Sequence, residues 1–143
     1  MNESKFYQYL KRNVFSQLKQ FHPNRIETSM CNGFPDIVYT YIDHHGFIEL
    51  KYFDGDPKPE DKFRLKHPIT SAQVQWLTLH NYFGSGHCFM VIGTKTKIYW
   101  IKASQLKYHM SRPNTYTWSE IESASHFVLD RKNLDIKPIL GIL

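Results

Sequence analysis

Residues Pro35 to Lys51, PDIVYTYIDHHGFIELK, decide the fold. Asp36 to Ile42 is rich in β-branched and aromatic residues, as strands are. Asp43-His44-His45-Gly46 has turn chemistry, with Gly46 free to take positive φ, and Phe47 to Tyr52 returns as a second strand. Inside that return, Glu49 and Lys51 flank Leu50, and period two puts both charges on one face. If Ile42 faces Phe47 across the turn, Asp36 falls on that face too. Two carboxylates then share a surface with one ammonium. Carboxylates so placed repel unless a cation separates them, and two hard oxygen donors with room for water suit Mg²⁺ or Mn²⁺. In that register, however, Asp36 lies four positions from Glu49, about 13 Å at 3.3 Å per residue, so a bend or bulge near Asp36 is needed to close the site. Gly33 and Pro35 just upstream fit an irregular approach.

Pro35-Asp36, a gap, then Glu49-Leu50-Lys51 resembles the signature of the PD-(D/E)XK nuclease superfamily, and the gap is comparable to that of its archaeal Holliday-junction-resolving branch. The resemblance covers about the first two thirds of the chain. It implies a restriction-endonuclease-like core and metal-dependent hydrolysis of DNA. Asp36 and Glu49 would hold Mg²⁺, with Mn²⁺ able to substitute and the Leu50 carbonyl as a further ligand. Lys51 would act on water and on transition-state charge. In that branch a glutamate of an N-terminal helix joins the metal site, and Glu3 matches it. The stretch ITSAQVQWLTLHNYFGSG (residues 69–86) resembles the segment after the corresponding strand in VRR-NUC and resolvase-like members, where a helix glutamine assists; Gln73 matches that glutamine.

The remaining chain supports an α/β protein with a central mixed sheet flanked by helices, in the order α-β-β-β-α-β-β. Asn2 or Ser4 caps a first helix reaching to about Gln20, with Phe6, Leu10, Val14 and Leu18 as its apolar stripe. Lys5, Arg12 and Lys19 recur along another face. Glu3 also reads simply as an acid favoured by a helix N-terminus. His22-Pro23-Asn24 ends the helix, and alternation from Arg25 to Met30 gives a first strand. Asp54 to Pro68 is a long loop carrying Lys58, Lys62, Arg64 and Lys66, either a flexible basic arm that touches phosphates or a solvated connection. Thr70-Ser71-Ala72-Gln73 is a capping box, so Gln73 has a capping role open to it as well. The second helix ends at Gly84. Cys88 to Ile92 is a buried strand parallel to a central one, and Ile98 to Ile101 is another. Beyond these lie short helices at 103–109 and 118–123, a short strand at 127–129, and an apolar tail that packs on the core or on a second subunit.

The 143 residues suit one domain, with a core to about residue 101 and an extension over 102–143. The formal charge of +5 suits a polyanionic partner. Two cysteines without a CxxC pair point to a reduced, intracellular protein. No apolar run approaches the roughly 20 residues of a membrane span. His44 and His45 read as solvated turn residues. Three functions follow in order: a junction resolvase acting as a homodimer on branched DNA, an endonuclease of low specificity on duplex DNA, and a non-catalytic nucleic-acid-binding module.

Overall fold

The computed structural model describes residues 1–26, 32–84 and 86–143. Six strands form one sheet in sequence order: β1 (Phe21–Arg25), β2 (Ile37–Tyr41), β3 (His44–Tyr52), β4 (Cys88–Gly93), β5 (Lys97–Lys102) and β6 (Phe127–Asp130). All neighbours are antiparallel except β3 and β4, which run parallel. That parallel step needs a crossover, and α2 (Ser71–Phe83) provides it. This is the mixed sheet flanked by helices that the sequence implies.

Both faces of the sheet are covered. On one, Phe6, Leu10 and Val14 pack with Ile37, Tyr39, Ile48, Leu50, Phe89 and Val91. The first three lie on or just after α1 (Glu3–Asn13). On the other face, Val74 and Leu77 of α2 pack with Cys88, Met90, Ile92, Tyr99 and Ile101. Alternation along β3 therefore sends Ile48 and Leu50 toward α1, and Glu49 and Lys51 toward α2.

Several expectations shift. Asn2 caps α1 through Lys5 N–H at 2.9 Å, but the helix stops at Asn13, seven residues before Gln20. A 3₁₀ turn over Phe15–Gln17 follows, and Gln20 has φ +59°. The first strand starts earlier than expected and includes His22, Pro23 and Asn24; the expected positions 27–30 lie outside the described residues. Residues 103–109 form no helix but contribute to two 3₁₀ turns, Ala103–Gln105 and Tyr108–Ser111. The helix near residue 118 is present as α3 (Trp118–Ala124).

The central hairpin corrects the turn. Ile37 faces Ile48 and Tyr41 faces His44, so the turn is Ile42-Asp43, and His44, His45 and Gly46 belong to β3. Ile42 takes φ +57° and is 64% exposed, a conformation that β-branched residues adopt rarely. Gly46 lacks positive φ. It is needed for closeness instead: a Cβ there would come within 2.1 Å of the His87 carbonyl oxygen and 2.4 Å of the Tyr39 hydroxyl. Tyr39 crosses this glycine to donate to the His87 carbonyl at 3.1 Å.

Residues 54–68 are no free arm. Phe63 and Leu65 are buried, Phe63 N–H donates to the Tyr116 carbonyl, and Trp118 N–H donates to that of Asp61. The segment from 102 onward gives the sheet its sixth strand, gives Trp118 and Ile121 to the α2-side core, and gives Leu129, Ile139 and Leu143 to the other. The apolar tail, with α4 (Lys137–Leu140), thus packs on its own core. No helix among the described residues is long and apolar enough to cross a membrane.

Because a methyl at position 46 collides with backbone as well as with Tyr39, Gly46→Ala is expected to cost about 1–3 kcal/mol. Denaturant unfolding checks this; an unchanged midpoint would contradict the close approach.

Candidate active site

The observed register removes the difficulty of a distant aspartate. Continued one step past Ile37–Ile48, it sets Asp36 opposite Glu49, and the required sharing of a face holds without a bulge. The half-buried Asp36 carboxylate accepts the Leu50 N–H at 2.8 Å. The next step sets Pro35 opposite Leu50. A proline has no N–H to offer, so the Leu50 carbonyl, which leaves the strand on the same side as its own N–H, lacks that ladder donor. Gly33, at φ +81°, brings this segment against α2, where a Cβ would lie 2.4 Å from the Ala72 carbonyl oxygen.

Glu49 is 3% exposed and Lys51 4% exposed. The Lys51 ammonium lies 3.7 Å from Glu49 Oε1 and donates to the Pro68 carbonyl at 3.4 Å. Gln73 caps its helix and also reaches the site. Its Oε1 accepts the Thr70 N–H at 3.0 Å while its backbone N–H donates to Thr70 Oγ1 at 3.1 Å. Its Nε2 donates to Glu49 Oε1 at 2.7 Å. The capping box therefore aims the amide that holds the carboxylate.

Burial, and then the neighbouring Asp36 carboxylate, push the Glu49 carboxyl up to about 9, against the opposing pull of Lys51. One ammonium does not compensate two carboxylates here, and the metal-free surroundings favour the protonated form of Glu49. Glu3 is raised as well, by burial first, with Lys51 lowering it and Asp36 raising it. It stands at the start of α1, the helix on the opposite face, and borders a cleft with Tyr52 and His67. Among the described residues no three His, Cys, Asp or Glu side chains converge as a metal cage. The donors offered are all oxygens: the carboxylates of Asp36 and Glu49, and the Leu50 carbonyl left without its ladder partner. This set fits Mg²⁺, which is commonly held by one or two carboxylates and keeps several waters; such an ion would offset the repulsion that raises Glu49.

The basic residues separate. Lys66 lines a cleft of about 340 Å³ with Glu3, Tyr52, Asp54 and His67. Arg64 binds Asn114 and faces another cavity. Lys5 and Arg12 are exposed on α1, and Lys58 and Lys62 are exposed in the 54–68 segment. Sequence reasoning missed two neighbours of Glu3, Arg25 and His67. Arg25 donates to Ser4 Oγ at 2.9 Å and lies over the Tyr7 ring. The basic charge of both was visible, but nothing in their spacing tied them to Glu3.

Neither a family model nor a curated protein matches the sequence. Among solved structures, the chain is similar to the Holliday junction resolvase Hjc of Archaeoglobus fulgidus, an archaeal hyperthermophile. The likeness has a TM-score of 0.51 at 16% identity and covers 95% of this chain and 92% of that one. At this identity the two share a fold, a mixed sheet flanked by helices.

A carboxyl raised on folding from its ordinary value near 4.5 to about 9 contributes stability fully below the lower value and loses it as pH rises through the upper. Metal-free Glu49→Gln is therefore expected to melt higher than the parent at pH 9, with the gap closing toward pH 4.5. Melting curves across that range check it; a gap independent of pH would contradict the buried, uncompensated carboxyl.

Proposed function

We propose that this chain is a divalent-metal-dependent endodeoxyribonuclease that acts on branched DNA. The observation carrying the proposal is the cluster on the α2-facing side of the β2–β3 hairpin: Asp36 opposite a buried Glu49, with Lys51 and Gln73 converging on Glu49. A surface ion pair would be worth about 0–1 kcal/mol, but Glu49 and Lys51 are buried, where desolvation offsets the attraction of such a pair, so fold stability does not account for their placement. The fold shared with an archaeal junction resolvase supports the same reading.

Asp36, Glu49 and the Leu50 carbonyl would hold Mg²⁺, which when bound polarises a phosphoryl oxygen and lowers the pKa of water. To serve as a ligand, Glu49 would release its proton to solvent. Gln73, fixed by Thr70, keeps the Glu49 carboxylate oriented. Lys51, steadied by the Pro68 carbonyl, offsets the charge that builds on the phosphoryl oxygens in the transition state. Glu3 and His67 border the adjoining cleft, where the substrate backbone would lie. Cleavage of the kind the superfamily resemblance implies leaves a 5′-phosphate and a 3′-hydroxyl.

Backbone and shape rather than base sequence would select the substrate, since phosphate contacts position without specifying. Two copies related by a two-fold axis would cut a four-way junction symmetrically.

Labelled four-way junction, linear duplex and single strand, each with Mg²⁺ or EDTA, test the proposal. Paired symmetric cuts confined to the junction and abolished by EDTA are expected; equal cutting of every duplex would point to a low-specificity endonuclease. Binding without cutting under any divalent ion would reduce the chain to a nucleic-acid-binding module.

Asp36→Asn and Lys51→Met should each lower cleavage by at least about a hundredfold while retaining junction binding by gel shift. Retained cleavage in either variant would remove that residue from the mechanism.

A further inference from the structure

A cavity of about 210 Å³ opens beside the candidate active site, where Pro68 is shared between them. Phe63, Leu65, Ile69 and Met110 form its apolar walls, and the exposed Arg64 and Arg112 flank it. Arg64 is held in place by Asn114 Oδ1, through Nε at 3.1 Å and Nη2 at 2.7 Å. That partner is a neutral amide, so the charge of Arg64 is not cancelled. Among the described residues neither arginine has a carboxylate within ion-pair distance.

The volume is below the roughly 300–1,000 Å³ of ordinary ligand pockets, so its occupant is a small group. A simple anion would gain nothing from the apolar walls, and an apolar ligand nothing from two uncompensated guanidinium groups. A nucleotide satisfies both: a flat base for the walls and for the arginine planes, and an anionic phosphate for their charge. Its position is also constrained. Pro68, which lines the cavity, accepts the Lys51 ammonium, so an occupant would sit next to the phosphate being cut.

We propose that this cavity receives one unstacked base of the DNA substrate, adjacent to the scissile phosphate. The proposal rests on the nuclease reading above and adds the source of its selectivity. Taking a base out of a continuous duplex costs a few kcal/mol, and the cost is least where pairing is already interrupted. The cavity therefore favours nucleotides at a branch and disfavours those inside a paired arm, without reading sequence.

The test uses four-way junctions carrying 2-aminopurine at the nucleotide next to the mapped cut, or at each branch nucleotide in turn if nothing is cut. Binding is measured in EDTA. A several-fold rise in fluorescence on binding is expected at one position. An abasic residue there should weaken binding about tenfold, because base stacking contributes affinity on that scale. Ser111→Trp, which fills the cavity, should cause the same loss with intact DNA and no further loss with the abasic junction. Arg112→Ala should weaken binding of both junctions alike. Unchanged fluorescence at every branch position, or equal affinity for abasic and intact junctions, would overturn the proposal even if the variants misfold, since both arms use the unaltered protein. A junction-cutting protein that leaves the probe silent loses the cavity proposal and keeps the nuclease; one that unstacks the base but cuts nothing loses the nuclease.

Discussion

The candidate site depends on one antiparallel register, in which Ile37 faces Ile48. A slip of one residue would carry Glu49 and Lys51 to the other face of the sheet. A slip of four would keep the face and separate Asp36 from Glu49. Two features hold the register, and neither touches a charge. Ile37, Tyr39, Ile48 and Leu50 are buried in the same core, and Gly46 alone leaves space for the Tyr39 side chain to cross β3. Apolar packing thus forces two carboxylates together, and the Gln73 amide from α2 and the Lys51 ammonium from β3 itself both meet Glu49.

The sequence carried much of this arrangement, for identifiable reasons. Period two along Glu49-Leu50-Lys51 settles which side chains share a face whatever the turn, because every register of the same parity agrees. The distance from Asp36 to Glu49 was not legible, because it depends on where the chain reverses. The reversal falls at Ile42-Asp43, and an isoleucine in the left-handed region carries no turn signal, whereas His-His-Gly does. The capping box at Thr70 was readable from four residues. That the same glutamine also grips Glu49 was not legible; resemblance to other nucleases implied only an assisting glutamine near the site.

What periodicity could not reveal was the union of distant segments. Residues 54–68 and the chain beyond 102 look irregular apart, yet Phe63 and Trp118 pack ring against ring with centroids 4.9 Å apart, and backbone bonds join Asp61 to Trp118 and Pro59 to Ser119. Neither has a regular pattern because each supplies only part of a shared apolar layer. The same union places Pro68 under Lys51 and fixes the cavity beside it.

Pro23, in the outermost strand β1, has one more effect. Ile26 N–H donates to the Asp36 carbonyl, so in β1 even-numbered residues bond toward β2 and odd-numbered ones point outward. Pro23 therefore interrupts the row of donors on the free margin of the sheet. A strand from another molecule seeking to add there would meet a missing rung. That margin is blunted against runaway polymerisation, and lateral growth of the sheet through β1 is disfavoured.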